Sequence, residues 1–342
     1  MSRRVKGALG IALSAGGLWW ALHGVPWHDV IGRLHDASIP LLVLCAIAAT
    51  SIFPVRAIRW RIILEPVAPN VPFGPLWRSV AIGMMASNVL PFRPGELVRA
   101  YALAHERPDV PFSMGLASVA VDRLFDGAAV LLLMAAAMLD PRFPGVTEIG
   151  GRSMASVAMG VILLTVVGFV ALYVLARFPH RFIEAYGRVA HHISPKLESL
   201  GRRILTSFAE GLGVLRSPGR FIAVLVWALI HWMLNAFAFW LAFKAVHIAV
   251  PITAALFVQG VVVFFVSLPS TPGFVGVFES GAKAGLLVYG IGAGAAATWA
   301  LTFHFVSYIP ITVIGLWYLS RAGMTYGEIR HVSEAPPAES PG

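Results

Sequence analysis

Apolar stretches approaching the roughly 17–25 residues that cross a bilayer recur along this chain, and two of them are cut by the same element. Leu90-Pro91-Phe92-Arg93-Pro94-Gly95 interrupts the stretch 74–106, and Leu268-Pro269-Ser270-Thr271-Pro272-Gly273 interrupts 252–289. Two prolines and a closing glycine end a helix, because proline lacks the N–H and clashes with the preceding turn. Backbone freed at membrane depth cannot face lipid, so each break is expected to be buried in protein or to line a wet cavity. The plain alternative is a structural kink in each of two ordinary spans.

Composition agrees with a lipid solvent. Of 342 residues, 58% are hydrophobic and 13% charged, against about 45–50% and about 25% in soluble domains. Unbroken apolar runs lie at about 7–23, 39–63, 113–139, 154–176, 221–243 and 293–319. The expected fold class is therefore an all-α polytopic membrane protein. It has about six full spans plus two re-entrant helical hairpins, in a single domain over 1–322 with a disordered tail over 323–342. The basic start at Arg3, Arg4 and Lys6 resembles a secretory leader, but no small-x-small site follows, so an uncleaved first span is expected.

The net charge of +9 does not call for nucleic acid, because the basic residues follow a topology rule. With the N-terminus inside, the inner side holds Arg3, Arg4, Lys6, Arg56, Arg59, Arg61, Arg78, Arg107, the basic residues of 177–220, Arg321 and Arg330. The outer loops hold Arg33, Arg142, Arg152 and Lys244. This places the chain in the inner (plasma) membrane with both termini cytoplasmic. Segment 177–220 reads either as an amphipathic helix on the anionic leaflet or as a basic loop.

On this topology the first hairpin enters from the cytoplasm and the second from outside, each between two spans, which is an inverted-topology repeat. Discontinuous helices at matching positions of two halves mark a transporter's binding site. Helices restarting at Gly95 and Gly273 would aim unpaired N–H groups at an anion.

Charges inside apolar segments are costly and are functional candidates. Arg93, Glu96 and Arg99 surround the first break, Asp122, Arg123 and Asp126 follow in the next span, Glu279 and Lys283 sit in the second hairpin, and His304 lies in the last span. Arg93 suits a phosphate through its planar fork, and Glu96, Asp122 or Glu279 suits a coupling proton. The alternative is a set of internal ion pairs, Arg99 with Glu96, Arg123 with a carboxylate and Lys283 with Glu279. His231 and Asn235, one turn apart, read as interhelical hydrogen-bonding groups. Cys45 is the single cysteine, which excludes an intramolecular disulfide and a cysteine metal cluster. There is no zinc-protease, serine-elbow or phosphate-loop motif, so no metal, cofactor or catalytic residue is expected.

The runs Gly83-Met-Met-Ala-Ser-Asn88-Val-Leu-Pro91-Phe-Arg-Pro94-Gly95-Glu96, Ser118-Val-Ala-Val-Asp122-Arg123-Leu-Phe-Asp126-Gly127 and Leu268-Pro269-Ser-Thr-Pro272-Gly273-Phe-Val-Gly276-Val-Phe-Glu279 resemble the flippase-like family. That family corresponds to the membrane region of lysylphosphatidylglycerol synthases, and the likeness runs over roughly 5–322. It implies a lipid-translocating module, with Asn88, Pro91, Pro94, Gly95, Pro269, Pro272, Gly273 and Gly276 joining the charged candidates at the site. The synthases carry aminoacyl transfer in a soluble C-terminal domain, and here the chain stops soon after the last span, so no transferase activity is implied.

The expectation is a non-enzymatic transporter or flippase for a lipid with an anionic head group, of phospholipid, polyprenyl-phosphate-linked or hopanoid type, working by alternating access. Its partners are the lipid itself and envelope-lipid synthesis enzymes, with no nucleic acid. An intramembrane enzyme acting on a lipid phosphate and a non-transporting scaffold of a lipid-synthesis complex are the alternatives.

Overall fold

The computed structural model describes residues 15–90, 93–144, 148–149, 152–191, 194, 198, 217–268 and 270–334. The secondary structure of the described residues is helical apart from a short antiparallel pairing of Glu148–Ile149 with Arg152–Ser153. After a helical segment α1 over 15–22 come α2 (Trp27–His35), α3 (Ile39–Thr50), α4 (Ile52–Leu64), α5 (Phe73–Val89), α6 (Gly95–Glu106) and α7 (Phe112–Met138). There follow α8 (Met154–Arg177), α9 (Pro179–His191), α10 (Pro218–Ala245), α11 (Ile252–Val266), α12 (Val277–Val288), α13 (Ala293–Arg321) and α14 (Tyr326–Glu334).

Among the described residues, three helical runs are long and apolar enough to cross a membrane: Ile39–Leu64, in which Ser51 joins α3 to α4, Pro218–Ala245 and Ala293–Arg321. The long helices α7 and α8 coincide with the apolar runs at 113–139 and 154–176. Of the run at 7–23, residues 15–23 are described and 15–22 are helical; most of 192–216 lies outside the described residues, and within 177–220 the piece Pro179–His191 is helical.

Both broken regions fold as pairs of packed helices, α5 on α6 and α11 on α12. The first pair closes at Gly83, where a Cβ would stand 2.6 Å from the Gly95 carbonyl oxygen and 2.7 Å from Arg99 Cβ. The second closes at Gly281, whose Cβ would meet Val262 Cα at 2.9 Å. Each pair packs against the far half of the chain, α5 on α13 and α11 on α7, while α10 lies along α3 and α4. Gly83→Val is expected to destabilise the protein by about 1–3 kcal/mol or more, because the backbone it meets cannot repack. Gly127→Ala, with open space beside it, is the control, and thermal unfolding in detergent compares the two.

Two expectations need correction. The tail is ordered further than expected: Tyr326–Glu334 is helical, and Met324, Ile329 and Val332 are buried, the first two in a cluster with Val98, Ala102 and Leu319. Apolar residues spaced along this segment give it a face to bury, which the polar residues beyond it lack; 335–342 lie outside the described residues. The second helix of the second pair starts at Val277 rather than Gly273. Gly273 (φ 73°) and Gly276 (φ 89°) take left-handed conformations in the intervening turn, which a right-handed helix cannot continue.

Candidate functional site

Four helices bring their charges to one place beside the first break. Asp122 and Asp126, one turn apart on α7, both face Arg59 of α4: Arg59 Nε lies 2.6 Å from Asp122 Oδ1 and Nη1 lies 2.7 Å from Asp126 Oδ1. Arg99 of α6 reaches Asp122 Oδ2 at 3.0 Å and stacks its guanidinium on Trp60, 4.1 Å from the ring centre. Trp60 is itself fixed, its Nε1 donating to Ser118 Oγ at 2.8 Å. Trp232 Nε1 donates to Asp126 Oδ1 at 2.9 Å, and His231 Nδ1 stands 3.4 Å from the same oxygen, so α10 closes the cluster.

Burial grades across this network. Arg59 and Asp122 have fully buried side chains, whereas Arg123 is 40% and Glu96 30% exposed. Those two pair with each other, and Arg123 Nη1 also holds Asp126 Oδ2 at 3.1 Å. Glu96 further takes Arg99 at 3.6 Å and Arg56 at 3.4 Å. The charged interior therefore opens at the Glu96–Arg123 edge. Counting Arg56, Arg59, Arg99 and Arg123 against Glu96, Asp122 and Asp126, one positive charge is left over with His231 neutral. Arg56 Nε and Arg99 Nε, both buried, have no hydrogen-bond partner among the described residues.

Arg93 stands apart from this network. It takes a left-handed backbone conformation (φ 55°), donates from Nη1 to the Val266 carbonyl and lies over the Phe274 ring, 4.7 Å from its centre. Both partners belong to the second broken region, so the two breaks touch. A second link runs through Tyr308 of α13, whose hydroxyl donates to the Asn88 carbonyl at 3.2 Å and whose ring would meet a Cβ at Gly273. Asn88 itself donates to Thr312 Oγ1 at 3.0 Å.

On the second break, Glu279 Oε1 lies 2.6 Å from His304 Nδ1, and Oε2 accepts from Gly276 N–H at 2.6 Å. The N-terminus of α12 is thus capped by its own glutamate, and α6 carries Glu96 in its first turn. The expectation of a free helix end aimed at an anion is corrected at the second break; α6 has no side-chain cap, and Glu96 in its first turn pairs with arginines. Lys283 does not pair with Glu279 but donates to the Trp20 and His23 carbonyls at 2.7 and 3.4 Å, capping α1.

The candidates therefore fall into two touching groups. Arg93, Glu96, Arg99, Asp122, Arg123 and Asp126 belong to the first break and its network, with Pro94 and Gly95 starting α6. Pro272, Gly273, Gly276, Glu279 and His304 form the second turn and its tether. Pro91 and Pro269 lie outside the described residues. Sequence reasoning missed Arg56 and Arg59, which it assigned to the cytoplasmic edge; both are buried in the network, Arg59 against the two α7 carboxylates and Arg56 beside Glu96 and Asp122. Asn235 does bond across helices, to Gln259 Oε1 at 3.1 Å.

Residues 7–315 match the family model described as the lysylphosphatidylglycerol synthase TM region. The chain is similar to a UPF0104 membrane protein of Methanothermobacter thermautotrophicus, 27% identical over 310 residues that cover 84% of this chain and 85% of the relative. It is also similar to glycosyltransferase AglD of Haloferax volcanii, 26% identical over 306 residues, 82% of this chain and 48% of that one. The chain thus spans about half the length of the glycosyltransferase.

Proposed function

The chain belongs to the lysylphosphatidylglycerol synthase transmembrane-region family, and from that premise we propose that it moves a lipid with an anionic head group between leaflets of the inner membrane. The observation that carries this reading is Arg93, a guanidinium at the junction of the two breaks that no described carboxylate neutralises. It adds to the positive charge left over in the adjoining network. A fork of this kind takes a phosphate through paired N–H donors.

Two further features support transport over chemistry. The reciprocal packing of α5 on α13 and α11 on α7 is what two inverted halves would produce, each re-entrant hairpin lying against the other half's last span. Rocking of the halves would then expose the Arg93 junction to either side in turn. The charged cluster is a set of guanidinium–carboxylate pairs, a binding surface rather than a nucleophile with its base. Both termini are cytoplasmic in this scheme, and the envelope-lipid synthesis enzymes that make the cargo are its partners.

The likeness to a protein named a glycosyltransferase favours one second reading, an intramembrane enzyme acting on a lipid phosphate. Vesicles reconstituted with the full chain and an acyl-labelled phosphatidylglycerol probe separate the two. Transport requires protein-dependent movement of the unaltered probe to the other leaflet, slowed by Glu96→Gln, which leaves Arg123 without its exposed-edge partner. A chemically changed probe, or equal rates with and without protein, sinks the transport reading.

A further inference from the structure

The Glu279–His304 pair has a setting that an anion site does not explain. Glu279 is 3% exposed, and the two side chains meet at 2.6 Å inside a wall of aromatic rings, with Phe278 4.8 Å and Tyr308 5.7 Å from the imidazole centre. No arginine or lysine joins them among the described residues. Lys283 on the same helix turns away to the carbonyls of α1. The neighbouring α11 and the turn Pro272–Phe274 contain no ionisable residue. From α3, Cys45 donates to the Ala238 carbonyl, and from α10 the contacts are Phe239 with Trp299 and Phe303. Tyr308, one turn along α13, is in contact with the imidazole, and Arg93 rests on Phe274 of the second turn.

With one proton shared between them, a carboxyl and an imidazole carry no net charge. A second proton makes the pair a carboxylic acid beside an imidazolium and brings one positive charge into an apolar interior. It also weakens the oxygen that Glu279 offers to Gly276 N–H, since a neutral acid accepts less strongly than a carboxylate. That bond holds the turn between two left-handed glycines, and the same turn carries Phe274, on which Arg93 rests. His304 also meets Tyr308 edge to face, and Tyr308 ties Asn88 of the first break to the second.

We propose that Glu279 and His304 form a proton-binding site whose occupancy closes or releases the contact between the two breaks, so that proton movement drives the exposure of Arg93. The driving role rests on the translocator reading; the proton site does not. Glu279→Gln and His304→Gln keep a polar group of similar size, and glutamine at 279 still accepts from Gly276.

The test has two arms, both on the full chain. Infrared difference spectra of the protein in lipid nanodiscs, recorded across a pH titration, are expected to contain a carboxyl-protonation signal that disappears in Glu279→Gln and changes its midpoint in His304→Gln. Translocation of the acyl-labelled phosphatidylglycerol probe is expected to vary by up to about tenfold per pH unit on the limb set by one proton, and to flatten in both variants. Survival of the carboxyl signal in Glu279→Gln overturns the site. Loss of the signal with an unchanged pH–rate profile in both variants overturns the coupling and leaves a structural hydrogen bond. A normal infrared result with no wild-type translocation sinks the transport reading alone.

Discussion

Asp122→Asn is expected to lower the stability of the protein by about 3–5 kcal/mol, the cost of removing one partner from a buried ion pair. Asp122 is fully buried and receives Arg59 at 2.6 Å and Arg99 at 3.0 Å, with Arg56 at 3.9 Å. The isosteric amide leaves the packing intact but raises the uncompensated positive charge of the interior by one, and Arg59 has no route to solvent. The rescue follows from the same argument. Adding Arg99→Met removes the charge that Asp122→Asn left uncompensated and lays an apolar side chain on Trp60, so the double variant should be more stable than Asp122→Asn alone. A double-mutant cycle read by thermal unfolding in detergent measures the coupling. Asp109→Asn is the control, since Asp109 pairs with Arg107 on an exposed loop and its loss should leave the midpoint unchanged. Equal stability of Asp122→Asn and the wild type would mean that the network is hydrated and is not a core element.

The parts of this architecture that were legible in the sequence are those set by local chemistry. Clustered prolines with a closing glycine stop a helix, so both breaks were readable from their own Pro-x-x-Pro-Gly runs, and the helix start at Gly95 from Pro94-Gly95. Apolar length gave the runs that became α3–α4, α10 and α13. Partner identity was not readable, because it depends on how helices far apart in sequence are turned against one another. Arg59 meets Asp126 across 67 positions, and Arg93 meets the Val266 carbonyl across 173. The spacing Gly276-x-x-Glu279 carried a capping signal, a glutamate three residues past a helix start, yet membrane depth drew attention to its charge instead. The tail helix was hidden by the prolines and polar residues just beyond it.

Arg93→Gln is expected to slow translocation of the anionic probe by about 10–150-fold while leaving the unfolding midpoint near that of the wild type. The size follows from losing a hydrogen bond to a charged group, worth about 1.5–3 kcal/mol, at about tenfold per 1.4 kcal/mol. Stability should hold because Arg93 is half-buried and its partners are a carbonyl and a ring rather than a carboxylate, so no buried charge is left behind. This separates it from Asp122, where charge loss damages the fold. Arg93→Lys keeps the charge but not the planar fork and should fall between the two. If the arginine acts on the head group, the slowing is confined to anionic probes, and a zwitterionic probe moves equally in the variant and the wild type. Equal slowing of both probes would make Arg93 a clasp between the breaks, with the head group bound at the Glu96–Arg123 edge.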